Sequence, residues 1–262
     1  SPSRGLGDVY KRQKQYFMKL TIQQLKSYKN KGFAGPNPIL SQTHLTKLKY
    51  ELFGIINNLP ADNRPENLPS PNEYNEFILN LLLSEPFVDV AEQILGPDIS
   101  LFTVYAICKP PFDGRPVKWH QDAAYFPIEP METFTLWLAV DDSNSINGCM
   151  KVLPSSHKSK KIVNHSFNSN DGSVLVQSVP GIDLNGAVDV EVPAGYYSVH
   201  DPFLLHGSNK NKSSKWRCGI TIKYIPTYVT LDRDYIGPSG FNWKSHKLFH
   251  ARGKRGKHKY EN

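Results

Sequence analysis

The segment KWHQDAAYFP, residues 118–127, contains a histidine and a carboxylate at a spacing that suits metal binding. Side chains two positions apart in a β-strand point to the same side, so we expect His120 and Asp122 to share a face, with Trp119 and Gln121 on the other. An imidazole beside a carboxylate is two thirds of a 2-His-1-carboxylate triad, which holds Fe(II) by one face and leaves other positions open. Because His-x-Asp also occurs by chance, the pair alone is weak evidence.

Two histidines in VHDPFLLHGSN, residues 199–209, could supply the missing imidazole, and we favour His206 over His200. Arg217 follows His206 by eleven positions, on the less apolar side of the strand-like segment KWRCGITIKY. A guanidinium is costly to bury unless it meets an anion, ideally a carboxylate that accepts two hydrogen bonds. Two partners for Arg217 stay open: a structural salt bridge, or the distal carboxylate of a bound 2-oxoglutarate.

The elements that must position these residues change character near residue 97. Upstream, Thr21 with Gln24 has the pattern of a capping box, and Gly32 that of a helix stop. We expect further helices from Ser41, from Ser70-Pro71, and from about residue 84 to residue 95. The first third of the chain is therefore predicted to be helical.

Downstream of residue 97, the apolar pattern has a period of two, which is typical of strands. Strands are predicted near residues 99–108, 117–126, 133–141, 149–153, 188–192, 196–200 and 216–225. Helices followed by many short strands indicate a mainly β fold, a sandwich or jelly roll with a helical face, preceded by N-terminal helices.

Charge is concentrated at the two ends of the 262-residue chain, whose formal net charge is +7. Residues 1–17 contain four basic residues against Asp8, residues 250–262 contain five against Glu261, and residues 18–249 are formally neutral. We expect residues 18–249 to form a single domain, residues 1–17 to be a disordered tail or a translated adapter, and residues 250–262 to be a solvated basic tail. A neutral core without a basic stripe predicts no nucleic-acid partner.

The three cysteines, Cys108, Cys149 and Cys218, are odd in number and widely spaced, which argues against a disulfide framework. Without an apolar secretory segment near residue 1, the cytoplasm is the expected location. The longest apolar runs are too short to span a bilayer, so no membrane association is expected. Nothing in the sequence indicates an oligomeric state.

The ligand-like residues and their surroundings together resemble the phytanoyl-CoA dioxygenase family. Asp122 precedes His206 by 84 positions, and Arg217 follows in a strand-rich half. The resemblance runs from Leu20 to about Val229, through LTIQQLKSYKNKGF, ICKPPFDG, HQDAAYFP, LWLAVDDSNSINGCMKVLPSSHK and HGSNKN. It implies a double-stranded β-helix, the cupin-like jelly roll, and a single-domain enzyme that uses Fe(II), 2-oxoglutarate and O2.

The resemblance also implies a role for individual residues. His120, Asp122 and His206 correspond to the iron ligands. Arg217 and Ser208 correspond to the groups that hold the far carboxylate of 2-oxoglutarate. Tyr105 and Trp137 correspond to residues that line its pocket. For the two aromatic residues a place in the apolar core is an equally good interpretation.

The implied reaction is hydroxylation of a small organic substrate with release of succinate and CO2. Related halogenases have a small residue where this chain has Asp122, so a carboxylate there favours hydroxylation. Two alternatives are a jelly-roll metal-binding protein without catalysis and a cupin-type enzyme that does not use 2-oxoglutarate. Lys109 and Lys118, with Tyr125 and Gln121, indicate a small polar or anionic substrate, and residues 155–187 are a candidate lid.

Overall fold

The computed structural model describes residues 18–167, 172–237 and 240–262, so the expectation for residues 1–17 lies outside the described residues. Its helices are α1 (Ile22–Lys31), α2 (Gln42–Asn57), α3 (Glu76–Leu82) and α4 (Glu85–Leu95). The capping box at the start of α1 is present, and Gly32 ends the helix at φ 88°. Ser41 caps α2 as expected. The third helix starts later than predicted, because Asn75 rather than Ser70 caps it.

Fifteen strands follow one another through the described chain. They are β1 (Phe33–Pro38), β2 (Leu68–Pro69), β3 (Ile99–Lys109), β4 (Val117–His120), β5 (Ile128–Glu129), β6 (Phe134–Ala139), β7 (Met150–Val152), β8 (Ser166–Phe167), β9 (Gln177–Ser178), β10 (Val188–Val190), β11 (Tyr196–His200), β12 (His206–Ser208), β13 (Arg217–Pro226), β14 (Thr230–Leu231) and β15 (Phe249–Arg252). The Gly- and Pro-rich β1 and the short β12 were not expected from the sequence.

The strands form two main antiparallel sheets. The major sheet has the order β1-β11-β6-β13-β3-β15, with β2 added at β3, and the minor sheet has the order β10-β7-β12-β4. Trp137 of β6 packs against Met150 and Val152 of β7, so the two sheets face each other. This arrangement is the predicted jelly roll, and the N-terminal helices precede it.

The alternation along β13 separates the two sides of the major sheet. Ile220 and Ile222 belong to the main core, in which the major sheet packs against helices through residues such as Leu52 and Phe87. Arg217, Gly219, Thr221 and Lys223 occupy the alternate positions. Of these, Arg217, Thr221 and Lys223 line a cavity between the sheets. The helices thus pack on the outer face of the major sheet, and side chains of its inner face line the cavity.

The C-terminal segment differs from the expected solvated tail. Phe249–Arg252 form β15, which pairs with β3, and Arg252 binds Asp89 at 2.8 Å. Tyr260 packs on a buried apolar cluster, and its hydroxyl accepts a hydrogen bond from Ser100 at 3.0 Å. The structure therefore gives residues 250–252 and Tyr260 contacts with the domain that a solvated tail would not have. Basic composition indicated solvation, but acidic residues of α4 and an open edge of β3 give this segment partners.

The described part of the chain contains no helix long and apolar enough to cross a membrane. All three cysteines are free thiols and are buried.

Candidate active site

His120 and His206 meet at the end of the minor sheet, where β4 finishes and β12 begins. The two residues are paired directly across these strands. Asp122 is not in the strand as expected, because β4 ends at His120 and Asp122 opens a short 3-10 turn. Gln121 is still extended, at φ −118° and ψ 132°, and this conformation keeps the Asp122 carboxylate near His120.

The ligand atoms of His120, Asp122 and His206 all lie within 4.8 Å of one another, and all three residues are buried. Asp122 Oδ1 is 3.6 Å from Nε2 of His120 and 3.8 Å from Nε2 of His206. Nδ1 of each histidine faces a backbone carbonyl, that of Lys118 at 2.8 Å and that of Leu204 at 2.9 Å. A carbonyl only accepts, so each Nδ1 carries the proton and each Nε2 has a free lone pair for a metal.

The second oxygen of Asp122 is held from the opposite side. Thr135 donates a hydrogen bond to Oδ2 at 2.5 Å, and Lys223 Nζ lies 3.7 Å away. Burial raises the pKa of Asp122, but the charge of Lys223 and the neighbouring histidines outweigh burial and hold this pKa well below its usual range. The carboxylate is therefore ionised and oriented. Burial and the proximity of His120 lower the pKa of His206, which favours the neutral imidazole that metals bind.

His200, the alternative ligand, lies at the end of β11 beside this group. Its ring centroid is 4.5 Å from that of His206. Its Nε2 approaches Asp122 Oδ2 at 3.4 Å, whereas the two other histidines face Oδ1. His200 is not part of the group whose ligand atoms lie within 4.8 Å of one another.

Arg217 is 2% exposed and forms part of the cavity wall near the minor sheet. Its Nε and Nη2 donate to the carbonyl of Gly148 at 3.1 and 2.5 Å, and its guanidinium lies 5.4 Å from the ring centroid of Trp137. Among the described residues no carboxylate forms an ion pair with it, so the structural salt bridge is not observed. Burial lowers the pKa of Arg217 to about 10, as expected for a cation without an anionic partner.

Ser208 and Lys109 lie beside Arg217. Lys109 is 0% exposed. Its Nζ donates to Ser208 Oγ at 2.7 Å and to the Asn209 carbonyl. Burial, followed by repulsion from Arg217, lowers the pKa of Lys109 to about 6. This end of the cavity therefore combines a buried guanidinium with a hydroxyl, and Lys109 lies beside that hydroxyl.

One cavity of about 340 Å³ is lined by the residues assigned to metal and to 2-oxoglutarate, whereas Lys109, Lys118 and Gln121 are not among its lining residues. Tyr105 and Trp137 are part of its wall, together with the triad, Arg217 and Ser208. Gln121, expected to offer a hydrogen bond to a substrate, instead binds backbone atoms of Phe203, Lys161 and Val163. Tyr125 does line the cavity.

Residues of the candidate lid reach the cavity. Val174, Leu175 and Val176 line it, and the backbone N–H of Val179 donates to the carbonyl of Trp119 at 2.8 Å. The β8–β9 hairpin brings this segment across β4. Residues 168–171 of the segment lie outside the described residues.

Several cavity residues were not singled out from the sequence, among them Thr103, Lys223, Phe241 and Trp243. Lys223 could have been found, because it continues the alternation of Arg217, Gly219 and Thr221 along β13. Thr103 is its direct partner on β3. Phe241 and Trp243 lie beyond the segment that carries the family resemblance, in a region without strand or helix periodicity, so no comparable signal marks them.

Comparisons with known proteins show which family and fold the chain is similar to. A family model described as phytanoyl-CoA dioxygenase (PhyH) matches residues 60–219. A probable alpha-ketoglutarate-dependent hypophosphite dioxygenase from Stutzerimonas stutzeri is 32% identical over 77% of this chain and 77% of its own length. Peroxisomal phytanoyl-CoA dioxygenase from Bos taurus is 25% identical over 78% of this chain and 68% of its own length. The solved structure of the non-heme monooxygenase ThoJ superposes with a TM-score of 0.73, at 22% identity, covering 90% of this chain and 86% of that one, which supports the fold.

Proposed function

Because the chain belongs to the phytanoyl-CoA dioxygenase family and is an Fe(II)- and 2-oxoglutarate-dependent dioxygenase, we propose that it hydroxylates a small organic substrate, with release of succinate and CO2. One observation carries the proposal. A single cavity contains a buried His-Asp-His group and a buried arginine that has no carboxylate partner among the described residues. The first suits Fe(II) and the second suits the carboxylate of 2-oxoglutarate.

In this proposal His120, Asp122 and His206 hold the iron. Both imidazoles present a free Nε2, and Asp122 presents Oδ1 on the same side. The cavity residues keep water away and fix the geometry of these ligands. When bound, Fe(II) and 2-oxoglutarate supply the oxidising chemistry, in which O2 is activated as 2-oxoglutarate loses CO2.

Arg217 and Ser208 hold the far carboxylate of 2-oxoglutarate in this proposal, with Trp137 and Tyr105 lining the pocket. Arg217 is preorganised by Gly148 and by the face of Trp137, so little side-chain freedom is lost when it binds an anion. Lys109 adds a second donor beside Ser208. A buried cation with an anionic ligand is more stable than the same cation without one, which favours cosubstrate binding at this end.

Two features support hydroxylation of a small polar or anionic molecule. In a related halogenase a small residue leaves one position open for chloride. In this chain the carboxylate of Asp122 occupies that position. The cavity also contains Lys223 and Thr103 in a largely apolar wall, the usual composition of a small-molecule site. The relative from Stutzerimonas stutzeri is described as acting on hypophosphite, a small anion, and we include this compound among the substrates to test.

The decisive experiment is a substrate screen of the iron-loaded protein with 2-oxoglutarate, comparing amino acids, aminophosphonates, hypophosphite and acyl-CoA thioesters. We expect substrate-stimulated succinate release, coupled to O2 uptake, together with a product one oxygen atom heavier by mass spectrometry. His206→Ala serves as the inactive control. Turnover of a long-chain acyl-CoA alone would contradict the small-substrate proposal, and product formation without succinate would contradict the reaction.

A further inference from the structure

Lys223 is a buried cation at the end of the cavity opposite Arg217. The two residues lie on the same face of β13, six positions apart, which separates their Cα atoms by roughly 20 Å. The side chain of Lys223 is 6% exposed, and its Nζ lies 5.4 Å from the ring centroid of Phe126. Arg217 is instead held at Gly148 and Trp137. One five-carbon diacid bound between Arg217 and the triad therefore leaves Lys223 with Asp122 as its ion-pair partner among the described residues.

Asp122 is the acidic residue within ion-pair distance of Lys223 in the described chain, at 3.7 Å. The same oxygen of Asp122 already accepts a shorter hydrogen bond, at 2.5 Å, from Thr135. A divalent ion at the triad draws the charge of Asp122 toward itself, so Lys223 then lacks full neutralisation in a buried setting. Such a charge is costly unless another anion approaches.

Two unused hydrogen-bond donors lie at the same end of the cavity. Thr103, directly across from Lys223 on β3, and Trp243 both line the cavity. The hydroxyl of Thr103 and the indole N–H of Trp243 are buried and have no hydrogen-bond partner in the described chain. Buried donors normally have partners, so two neighbouring exceptions in a cavity wall indicate a ligand with acceptor oxygens.

The rest of this end is aromatic. Phe126 and Phe241 line the cavity, and the ring of Trp243 lies 4.6 Å from that of Phe241 and 6.4 Å from that of Phe126. A ligand here meets flat apolar surfaces around one cation and two donors. A small acid with an apolar body satisfies both kinds of surface.

We propose that Lys223, with Thr103 and Trp243, binds the acid group of the primary substrate, and that this substrate is a small organic anion with an apolar body packed on Phe126 and Phe241. This inference rests on the proposed function, because it assumes that the triad holds metal and that Arg217 holds the cosubstrate. It assigns specificity to the far end of β13. Lys223 is then a substrate-binding residue rather than a mere support for Asp122.

The test is calorimetric titration of protein loaded with Mn(II) and saturated with 2-oxoglutarate, using 3-phenylpropanoate and its neutral analogue 3-phenylpropanamide. We expect the acid to bind roughly 10- to 150-fold more tightly than the amide, the range for a hydrogen bond to a charged group. Lys223→Met should abolish this preference, Lys223→Arg should keep part of it, and Thr103→Val should reduce it several-fold. Lys151→Met is the matched control, since Lys151 pairs with Asp189 away from the cavity.

The possible outcomes distinguish failure of this inference from failure of the proposed function. Equal binding of acid and amide, binding of neither, or a preference that survives in Lys223→Met would overturn the inference. If Lys223→Met weakens Mn(II) binding while the wild-type protein shows no acid preference, Lys223 only positions Asp122. If 2-oxoglutarate fails to bind the Mn(II)-loaded wild-type protein, the proposed function itself fails. A thermal melt of each variant excludes misfolding, and Lys223→Gln provides a second neutral variant.

Discussion

Thr135 on β6 donates a hydrogen bond to Oδ2 of Asp122 at 2.5 Å and so connects the major sheet to the carboxylate of the triad. The residues are 13 positions apart, and Thr135 is 1% exposed. The bond leaves Oδ1 facing the two histidines. The orientation of the carboxylate is therefore decided by a strand that carries none of the ligands.

Thr135→Val removes this hydrogen bond with little change in shape. We expect the affinity for Mn(II) or Fe(II) to fall about 10- to 100-fold, as is usual when a partner of a metal ligand is lost. Calorimetric titration with Mn(II) measures the change. Thr230→Val is the control, because the Thr230 hydroxyl binds the Glu129 carbonyl on the exposed surface; an equal loss in both variants would contradict a local effect.

His206→Ala and His200→Ala distinguish the two candidate ligands. We expect His206→Ala to abolish metal-dependent turnover and metal binding, because Nε2 of His206 faces Oδ1 of Asp122. His200→Ala should retain the metal, since His200 approaches Oδ2. Metal titration and circular dichroism of both variants check this. A metal-bound structure in which His200 is a ligand would show that the assignment is wrong.

Arg217→Ala tests the cosubstrate site. Loss of a buried charge-assisted contact costs about 2–5 kcal/mol, so the 2-oxoglutarate requirement should rise roughly 30- to 4,000-fold. Titration of 2-oxoglutarate into the Mn(II)-loaded variant measures this directly. An unchanged requirement, with weaker binding of the primary substrate, would reverse the two roles.

The low pKa of Lys109 predicts how the affinity for 2-oxoglutarate depends on pH. Its pKa is about 6 without ligand, and a nearby carboxylate favours the protonated ammonium and raises this pKa on binding. The contribution of Lys109 to affinity is therefore complete below pH 6 and declines as the pH rises above it. Calorimetry across this range should show the decline in the wild-type protein and not in Lys109→Met; parallel profiles would contradict it.

Removal of residues 250–262 should destabilise the protein. The truncation deletes most of β15, the Arg252–Asp89 ion pair and the buried contact of Tyr260. A combined loss of about 2–4 kcal/mol lowers the melting temperature by roughly 5–15 °C for a chain of this size. Removal of residues 1–17 alone, which we still predict to be dispensable, is the matched control. A melting temperature within a few degrees of the full chain after C-terminal truncation would support the original tail assignment.

The sequence by itself determined most of the helices, the longer strands and the residues that we assign to metal and cosubstrate. Local signals are sufficient for the caps at Thr21 and Ser41 and for the period-two strands, because caps and alternation depend on neighbours along the chain. The spacing of His120 and Asp122, with His206 and Arg217 downstream, indicated the resemblance to the phytanoyl-CoA dioxygenase family. These residues do meet in one cavity.

Only the tertiary structure decided which atoms face each other. The Thr135–Asp122 bond, the burial of Lys109, the docking of Tyr260 and the place of Lys223 beside Thr103 all join residues that are distant in sequence. Contacts of this kind depend on strand order and register, which local patterns do not encode. The contacts of residues 250–262 could not be predicted from composition for the same reason, since a basic segment is solvated or paired according to which acidic residues and strand edges the fold brings to it.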